Sequence, residues 1–261
     1  MGVEWGRRVI LVAPHPDDEV IGAGGQLRHL PDLWIVHATD GAPRDMLDAR
    51  AQGFATCVEY AVARRREMLA ALRLAGIGPE RALSLGFGDQ EMAFHLSEAA
   101  GLLRALFRQK QPDVVLGPAY EGGHPDHDSV AFIIHCACRI FARESGSAPA
   151  IVEYALYHAW DGGIRIGDFL PGAPEEAVTF MLDEAAQNLK RRMFECFVTQ
   201  HNTLRPFSVD CERFRAAPAY TFETAPHEGQ LYYENFNWGV TGEKWRELAR
   251  EAARKLQVRF P

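Results

Sequence analysis

The chain has 261 residues, of which 47% are hydrophobic and 24% are charged, the composition of an ordinary globular protein. The formal net charge is −7 and no basic run stands out, which argues against nucleic-acid binding. No apolar stretch is long enough for a membrane span, and no signal peptide opens the chain. The five cysteines form no Cys-x-x-Cys pair, so we expect reduced thiols and a cytoplasmic protein.

Strand-like and helix-like segments alternate through the first 160 residues. Strands are predicted over 8–13, 33–38, 81–85, 113–116 and 152–158, and helices over 20–30, 56–75, 96–109 and 126–143. The βαβ alternation predicts a Rossmann-like α/β fold, with a mostly parallel sheet, helices on both faces and right-handed crossovers.

Beyond residue 160 the pattern is looser. Helices are predicted over 184–197 and 242–257, and the segment 202–237 is rich in aromatic residues and turns. No linker or repeat is visible, so we expect a single domain over 1–261 with an irregular C-terminal extension. The segment 145–149 is the best candidate for a mobile loop. The sequence permits an oligomer but does not specify one.

Two clusters of imidazoles and carboxylates follow predicted strands. His15, Asp17 and Asp18 come directly after the strand 8–13, and His124 and His127 follow the strand 113–116 through a short loop. Ligands of parallel α/β sheets collect at the carboxyl ends of the strands, so the clusters are expected to converge. Two imidazoles and one carboxylate favour Zn²⁺ or Fe²⁺ with an open coordination position. One aspartate could bind the metal while its neighbour takes a proton from water.

These motifs resemble the PIG-L/LmbE-like zinc deacetylases. Ala-Pro-His-Pro-Asp-Asp-Glu at 13–19 looks like the first signature of that family, and Gly-Gly-His-Pro-Asp-His at 122–127 is similar to the second. Thr-Asp-Gly at 39–41, the basic segment 64–67 and Leu-Gly-Phe-Gly-Asp at 85–89 occur between them in family order. The resemblance covers roughly residues 7–135. It implies removal of an N-acetyl group from a small amino sugar or sugar conjugate.

The resemblance also implies a division of labour at the metal. His15, Asp18 and His127 correspond to the zinc ligands of the family, with Fe²⁺ as the alternative ion. Asp17 corresponds to the general base.

Further residues are implied to act on the reacting amide and on the sugar. His124 would stabilise the oxyanion or protonate the leaving amine. Asp126 would orient or tune a nearby histidine, and pairing with it would keep His124 partly protonated. Arg64 or Arg65, together with Asp89, would contact the sugar.

Aromatic residues beyond position 150 could stack against a sugar ring, although core packing is the commoner role of such residues. The six candidates are Tyr157, Trp160, Phe207, Tyr220, Tyr232 and Trp238.

Two other interpretations of the sequence compete with an enzymatic function. Gly22, Gly24 and Gly25 suggest a nucleotide-binding Rossmann domain, but they come later than a phosphate-binding turn requires. A non-catalytic metal-binding protein of the same fold is the other alternative. Asp17 and His124 argue against it, since neither is needed merely to hold an ion.

Overall fold

A seven-stranded sheet organises residues 8–173 and 175–261, the part of the chain that this computed structural model describes. The strands are β1 (Val9–Ala13), β2 (Leu33–Thr39), β3 (Ala82–Phe87), β4 (Val114–Pro118), β5 (Ala150–Tyr154), β6 (Tyr157–Trp160), β7 (Gly163–Ile166), β8 (Val178–Met181) and β9 (Cys211–Ala216). The order across the main sheet is β3-β2-β1-β4-β5-β9-β8. The first five strands in this order, β3, β2, β1, β4 and β5, are parallel to one another, whereas β9 is antiparallel to both of its neighbours, β5 and β8. The predicted mostly parallel α/β fold is confirmed.

Helices cover both faces of the sheet. They are α1 (Asp18–Ala23), α2 (Leu47–Ala51), α3 (Cys57–Leu74), α4 (Leu96–Lys110), α5 (Pro125–Ser145), α6 (Glu184–Glu195), α7 (His201–Leu204) and α8 (Gly242–Lys255). Ile10 and Val12 of β1 pack in the core beneath α4, α5 and α8, whereas Val9 and Leu11 pack with α1, α3 and α6. Successive side chains of a strand point to opposite faces, so β1 is buried on both sides as its hydrophobic sequence predicted.

The predicted helix over 20–30 is too long, because α1 ends at Ala23. The chain that follows α1 passes so close to other elements that a side chain would not fit there. A Cβ on Gly25 would lie 2.7 Å from the Leu182 side chain, and the Gly25 N–H donates to the Glu212 carboxylate at 2.8 Å. Gly25 therefore serves close packing against the C-terminal part of the chain, and a Cβ on Gly22 would collide with the ring of Tyr154 in β5.

Two further predictions differ from the structure after residue 150. The predicted strand over 152–158 is divided between β5 and β6, which belong to different sheets. The segment predicted as turns over 202–237 contains β9, which together with β8 extends the main sheet. Among the described helices, none is long and apolar enough to cross a membrane.

The topology brings the two sequence motifs together. β1 and β4 are parallel neighbours, so their carboxyl ends lie at the same edge of the sheet. The first motif follows β1 and opens α1, and the second follows β4 and opens α5. The expected convergence of the two clusters is found.

Candidate metal centre

Three buried imidazoles meet where the two loops converge. The ring of His15 lies 4.6 Å from that of His124 and 5.3 Å from that of His127, and the latter two are 5.2 Å apart, all between ring centroids. One nitrogen of each ring lies within 4.8 Å of the others, so the three side chains could hold one ion. A second group with the spacing of metal ligands contains His15, Asp89, His124 and Asp126.

Asp18 is a further candidate donor beside two of these imidazoles. Its Oδ2 lies 3.1 Å from His15 Nδ1 and 3.4 Å from His127 Nε2. Zn²⁺ with ligand bonds of about 2.0–2.1 Å requires neighbouring donor atoms about 3.4 Å apart in a tetrahedron. Both separations are close to this spacing, and three protein donors would leave one coordination position open.

The other nitrogen of His15 faces carboxylates. Its Nε2 lies 3.2 Å from Asp126 Oδ2 and 3.2 Å from Asp89 Oδ1. Backbone N–H groups of Gln90 and Met92 hold the Asp126 carboxylate at 2.7 and 3.2 Å. A carboxylate behind an imidazole is the usual support of a metal-ligating histidine, because it fixes the orientation of the ring.

The adjacent aspartates point in different directions because the backbone of Asp17 is unusual, with φ 158° and ψ −28°. The Asp17 carboxylate accepts a hydrogen bond from Arg64 Nη2 at 3.1 Å. Burial raises the pKa of the Asp17 carboxyl to about 8, although the Arg64 guanidinium acts in the opposite direction. Such a carboxyl can both accept and release a proton near neutral pH.

Of Arg64 and Arg65, only Arg64 reaches the metal centre. Arg64 is 4% exposed and also donates to the carbonyl oxygens of Gly41 and Pro16, at 2.6 and 3.2 Å. Arg65 is exposed on α3 and lines a different cavity. Arg64 therefore faces the site, and its contacts are with the protein and with Asp17.

His124 differs from the cationic residue that the sequence suggested. Its Nδ1 accepts a hydrogen bond from the Asp126 backbone N–H at 3.1 Å, because His124 is the N-cap of α5 and Pro125 is its first residue. The Asp126 carboxylate contacts His15 instead. Burial, and then the neighbouring His15 and His127, lower the pKa of His124 well below its ordinary value. A neutral ring that accepts at Nδ1 carries its proton on Nε2, where it is available as a donor.

A cavity of about 370 Å³ gives access to these residues. Its lining combines polar residues, among them Asp17, Asp89 and Gln200, with aromatic rings. The aromatic residues that line it are Tyr157, Phe207, Phe236 and Trp238. Sequence reasoning missed Phe236 and Gln200, since both come from the irregular C-terminal part and no local pattern marks them.

Three of the six aromatic candidates do not line this cavity. Tyr220 donates to the Glu153 carboxylate at 3.0 Å within a buried polar network. Trp160 and Tyr232 line a separate cavity.

Known proteins resemble part of this chain. Residues 10–138 match the family model described as PIG-L: GlcNAc-PI de-N-acetylase. A diacetylchitobiose deacetylase of Thermococcus kodakarensis is 31% identical over 135 residues, covering 49% of this chain and 47% of the relative. A 2'-N-acetylparomamine deacetylase of Streptomyces fradiae is 31% identical over 152 residues, covering 51% of each chain. This chain thus spans about half the length of these curated relatives.

The fold is similar to that of a protein whose structure has been solved. The N,N'-diacetylchitobiose deacetylase of Pyrococcus horikoshii superimposes with a TM-score of 0.60 and 22% identity, over 85% of this chain and 88% of that structure. The similarity of fold extends beyond the segment matched by the family model, into the C-terminal part of the chain. Residues 10–138 of this chain therefore match the PIG-L family.

Proposed function

We propose that this protein is a metal-dependent hydrolase that removes the acetyl group from the nitrogen of an amino sugar or sugar conjugate. The observation that carries the proposal is the meeting of a metal-ligand set and a separate buried carboxylate, Asp17, in one cavity. The substrate class is inferred from the relatives, whose names describe deacetylases of diacetylchitobiose and 2'-N-acetylparomamine.

Zn²⁺ is the proposed metal, with Fe²⁺ as the alternative. His15 Nδ1, Asp18 Oδ2 and His127 Nε2 would be its ligands, since their spacing suits a tetrahedral ion and both nitrogen and oxygen donors suit Zn²⁺. Bound there, the ion would polarise the acetyl carbonyl as a Lewis acid and make water more acidic.

Asp17 is the proposed general base. Its carboxylate would accept a proton from the attacking water and later pass it to the departing sugar amine, so that amide and water become acetate and amine. Arg64 would hold this carboxylate in position through its 3.1 Å contact. This makes Arg64 a positioning residue instead of a sugar contact.

His124 is the proposed stabiliser of the oxyanion. Its neutral ring would donate from Nε2 to the oxygen that gains negative charge when water adds to the carbonyl. Asp126 would support His15 from behind. Asp89, which lines the cavity, would accept hydrogen bonds from sugar hydroxyls.

The test is metal-dependent release of acetate. The purified protein is treated with a chelator, reloaded with Zn²⁺ or Fe²⁺ and incubated with N-acetylglucosamine and N,N'-diacetylchitobiose, and the Asp17→Asn variant serves as the control for contaminating activity. We expect acetate and free amine in equal amounts from the reloaded wild-type protein alone. No acetate from a broad panel of N-acetylated sugars would contradict the proposed reaction.

A further inference from the structure

A cavity of about 500 Å³ lies between α3 and the strands β2 and β3. Six residues of α3 line it, namely Cys57, Val58, Ala61, Val62, Arg65 and Met68. None of the residues that line this α3 cavity also lines the metal-centre cavity. Its volume falls in the range of small-molecule sites, so it could hold a ligand other than the substrate.

The wall that α3 contributes is largely apolar. Val58, Ala61 and Val62 share one face of the helix, because residues three or four positions apart are neighbours on a helix surface. Val58 is 73% exposed and Val62 is 44% exposed, so branched apolar side chains border the cavity and remain in contact with water. A ligand with an apolar chain would cover this surface, which is favourable.

The opposite wall of the α3 cavity is polar. It is formed by His37 and Thr39 of β2, which point to the same side of the strand. His37 is 2% exposed, and its Nδ1 has no hydrogen-bond partner among the described residues. Buried polar atoms of folded proteins nearly always have a partner. This nitrogen therefore indicates that a ligand or a water molecule completes this side of the cavity.

The charged residues of the lining favour a single negative charge. They are Arg44, Arg65 and Asp40, which give the lining a net charge of +1 although the whole chain carries −7. Arg44 forms an ion pair with Asp40 at 2.9 Å, whereas Arg65 has no ion pair within the described part of the chain. One unpaired guanidinium suits a carboxylate, which it can bind through two parallel hydrogen bonds.

We propose that the α3 cavity binds a small carboxylic acid with an apolar chain, as a ligand distinct from the sugar substrate. Its carboxylate would pair with Arg65, and its chain would lie along Val58, Ala61 and Val62. This binding site is independent of the proposed reaction, because the two cavities have no lining residue in common.

A titration followed by methyl NMR, with octanoate as the probe, tests the site and needs no turnover. We expect saturable shifts at the methyl groups of Val58, Val62 and Met68, and none at Ile21, which lines the metal-centre cavity. Octylamine, which has the same chain length and the opposite charge, should bind more weakly than octanoate. The inference is overturned by shifts at Ile21 without shifts at Val58 and Val62, or by the absence of saturable binding.

A substitution at Arg65 tests the charge. Arg65→Gln should weaken octanoate binding roughly two- to fivefold, the usual contribution of an exposed ion pair, and should reduce the preference for octanoate over octylamine. Arg66→Gln is the matched control, because Arg66 is exposed on the same helix but does not line the cavity. It should keep the wild-type affinity. Equal octanoate affinities of Arg65→Gln and the wild-type protein would contradict the proposed carboxylate contact.

A substitution at Ala61 tests the position of the chain. Ala61→Phe places a ring in the space between Val58 and Arg65 on the cavity wall, so it should prevent saturable binding of octanoate. Methyl signals outside the cavity should stay in place, which shows that the variant is folded. Wild-type affinity in Ala61→Phe would mean that octanoate binds elsewhere. Acetate release has no part in these measurements, so their failure would leave the proposed reaction untouched.

Discussion

At the residue scale, Asp17 and Asp18 are neighbours in sequence, but their carboxylates have different partners. Asp18 faces His15 and His127, whereas Asp17 faces Arg64. The unusual backbone at Asp17 separates the two side chains, so one can bind an ion while the other remains free to move a proton. The sequence predicted two roles for the pair, and the divergent side chains supply the physical reason.

Replacing the proposed base should stop the reaction without removing the metal. Asp17→Asn keeps the size of the side chain but cannot accept a proton, so kcat should fall by roughly 10²–10⁴, the usual contribution of acid–base catalysis. Metal content, measured by elemental analysis, should stay at the wild-type value. Turnover close to that of the wild-type protein would exclude Asp17 as the base.

Removing the Arg64 charge should move the pH dependence of the reaction. Catalysis needs ionised Asp17, so the rate rises as pH passes the pKa of that carboxyl. Arg64 acts to lower this pKa, and Arg64→Gln should therefore shift the acidic limb of the kcat/KM profile to higher pH. Arg65→Gln, a change at the exposed neighbouring arginine, should leave the limb in place. An unshifted limb in Arg64→Gln would show that Arg64 does not tune Asp17.

At the element scale, the sequence predicted the elements that carry the motifs but not those that complete the sheet. β1 and β4 are apolar and buried, so composition alone indicated strands. The sequence of β9, Cys-Glu-Arg-Phe-Arg-Ala, contains three charged residues, which are untypical of a buried strand. Two of them, Glu212 and Arg215, are nevertheless buried. Their charges are matched by Lys190 and Glu153, partners that are distant in sequence. Local patterns could not reveal this strand.

The buried ion pair between α6 and β9 should stabilise the packing of these two elements. Lys190 Nζ lies 2.7 Å from Glu212 Oε1 and donates to the Ile21 carbonyl oxygen at 2.8 Å. Glu212→Ala leaves Lys190 buried without its counter-charge, which costs about 3–5 kcal/mol in the free energy of unfolding. Urea denaturation measures the loss.

The exposed pair of Glu251 and Lys255 on α8 provides a matched control for this experiment. Glu251→Ala should leave the urea midpoint unchanged, since exposed ion pairs contribute little. A similar small effect of both substitutions would mean that the buried pair does not anchor α6 to β9.

At the scale of the whole molecule, topology explains which part of the site the sequence could predict. The metal-binding residues occur in two compact motifs after strands, and parallel α/β sheets bring such loops together. No comparable rule predicts which aromatic residues line the cavity. Tyr157 begins β6, whereas Phe207 and Trp238 come from separate irregular segments. Composition could not distinguish the three from Tyr220, which belongs to a buried polar network.

Some residues of the candidate site would bind the metal, and others would act on the substrate. Elemental analysis of zinc-loaded variants tests this division directly, because His15, His124 and His127 form an alternative ligand set of suitable spacing. We expect His15→Ala and His127→Ala to lose the stoichiometric metal, and His124→Ala to retain it and be inactive. Loss of metal from His124→Ala equal to that from His127→Ala would make His124 a ligand and contradict these roles, as would full occupancy in both His15→Ala and His127→Ala.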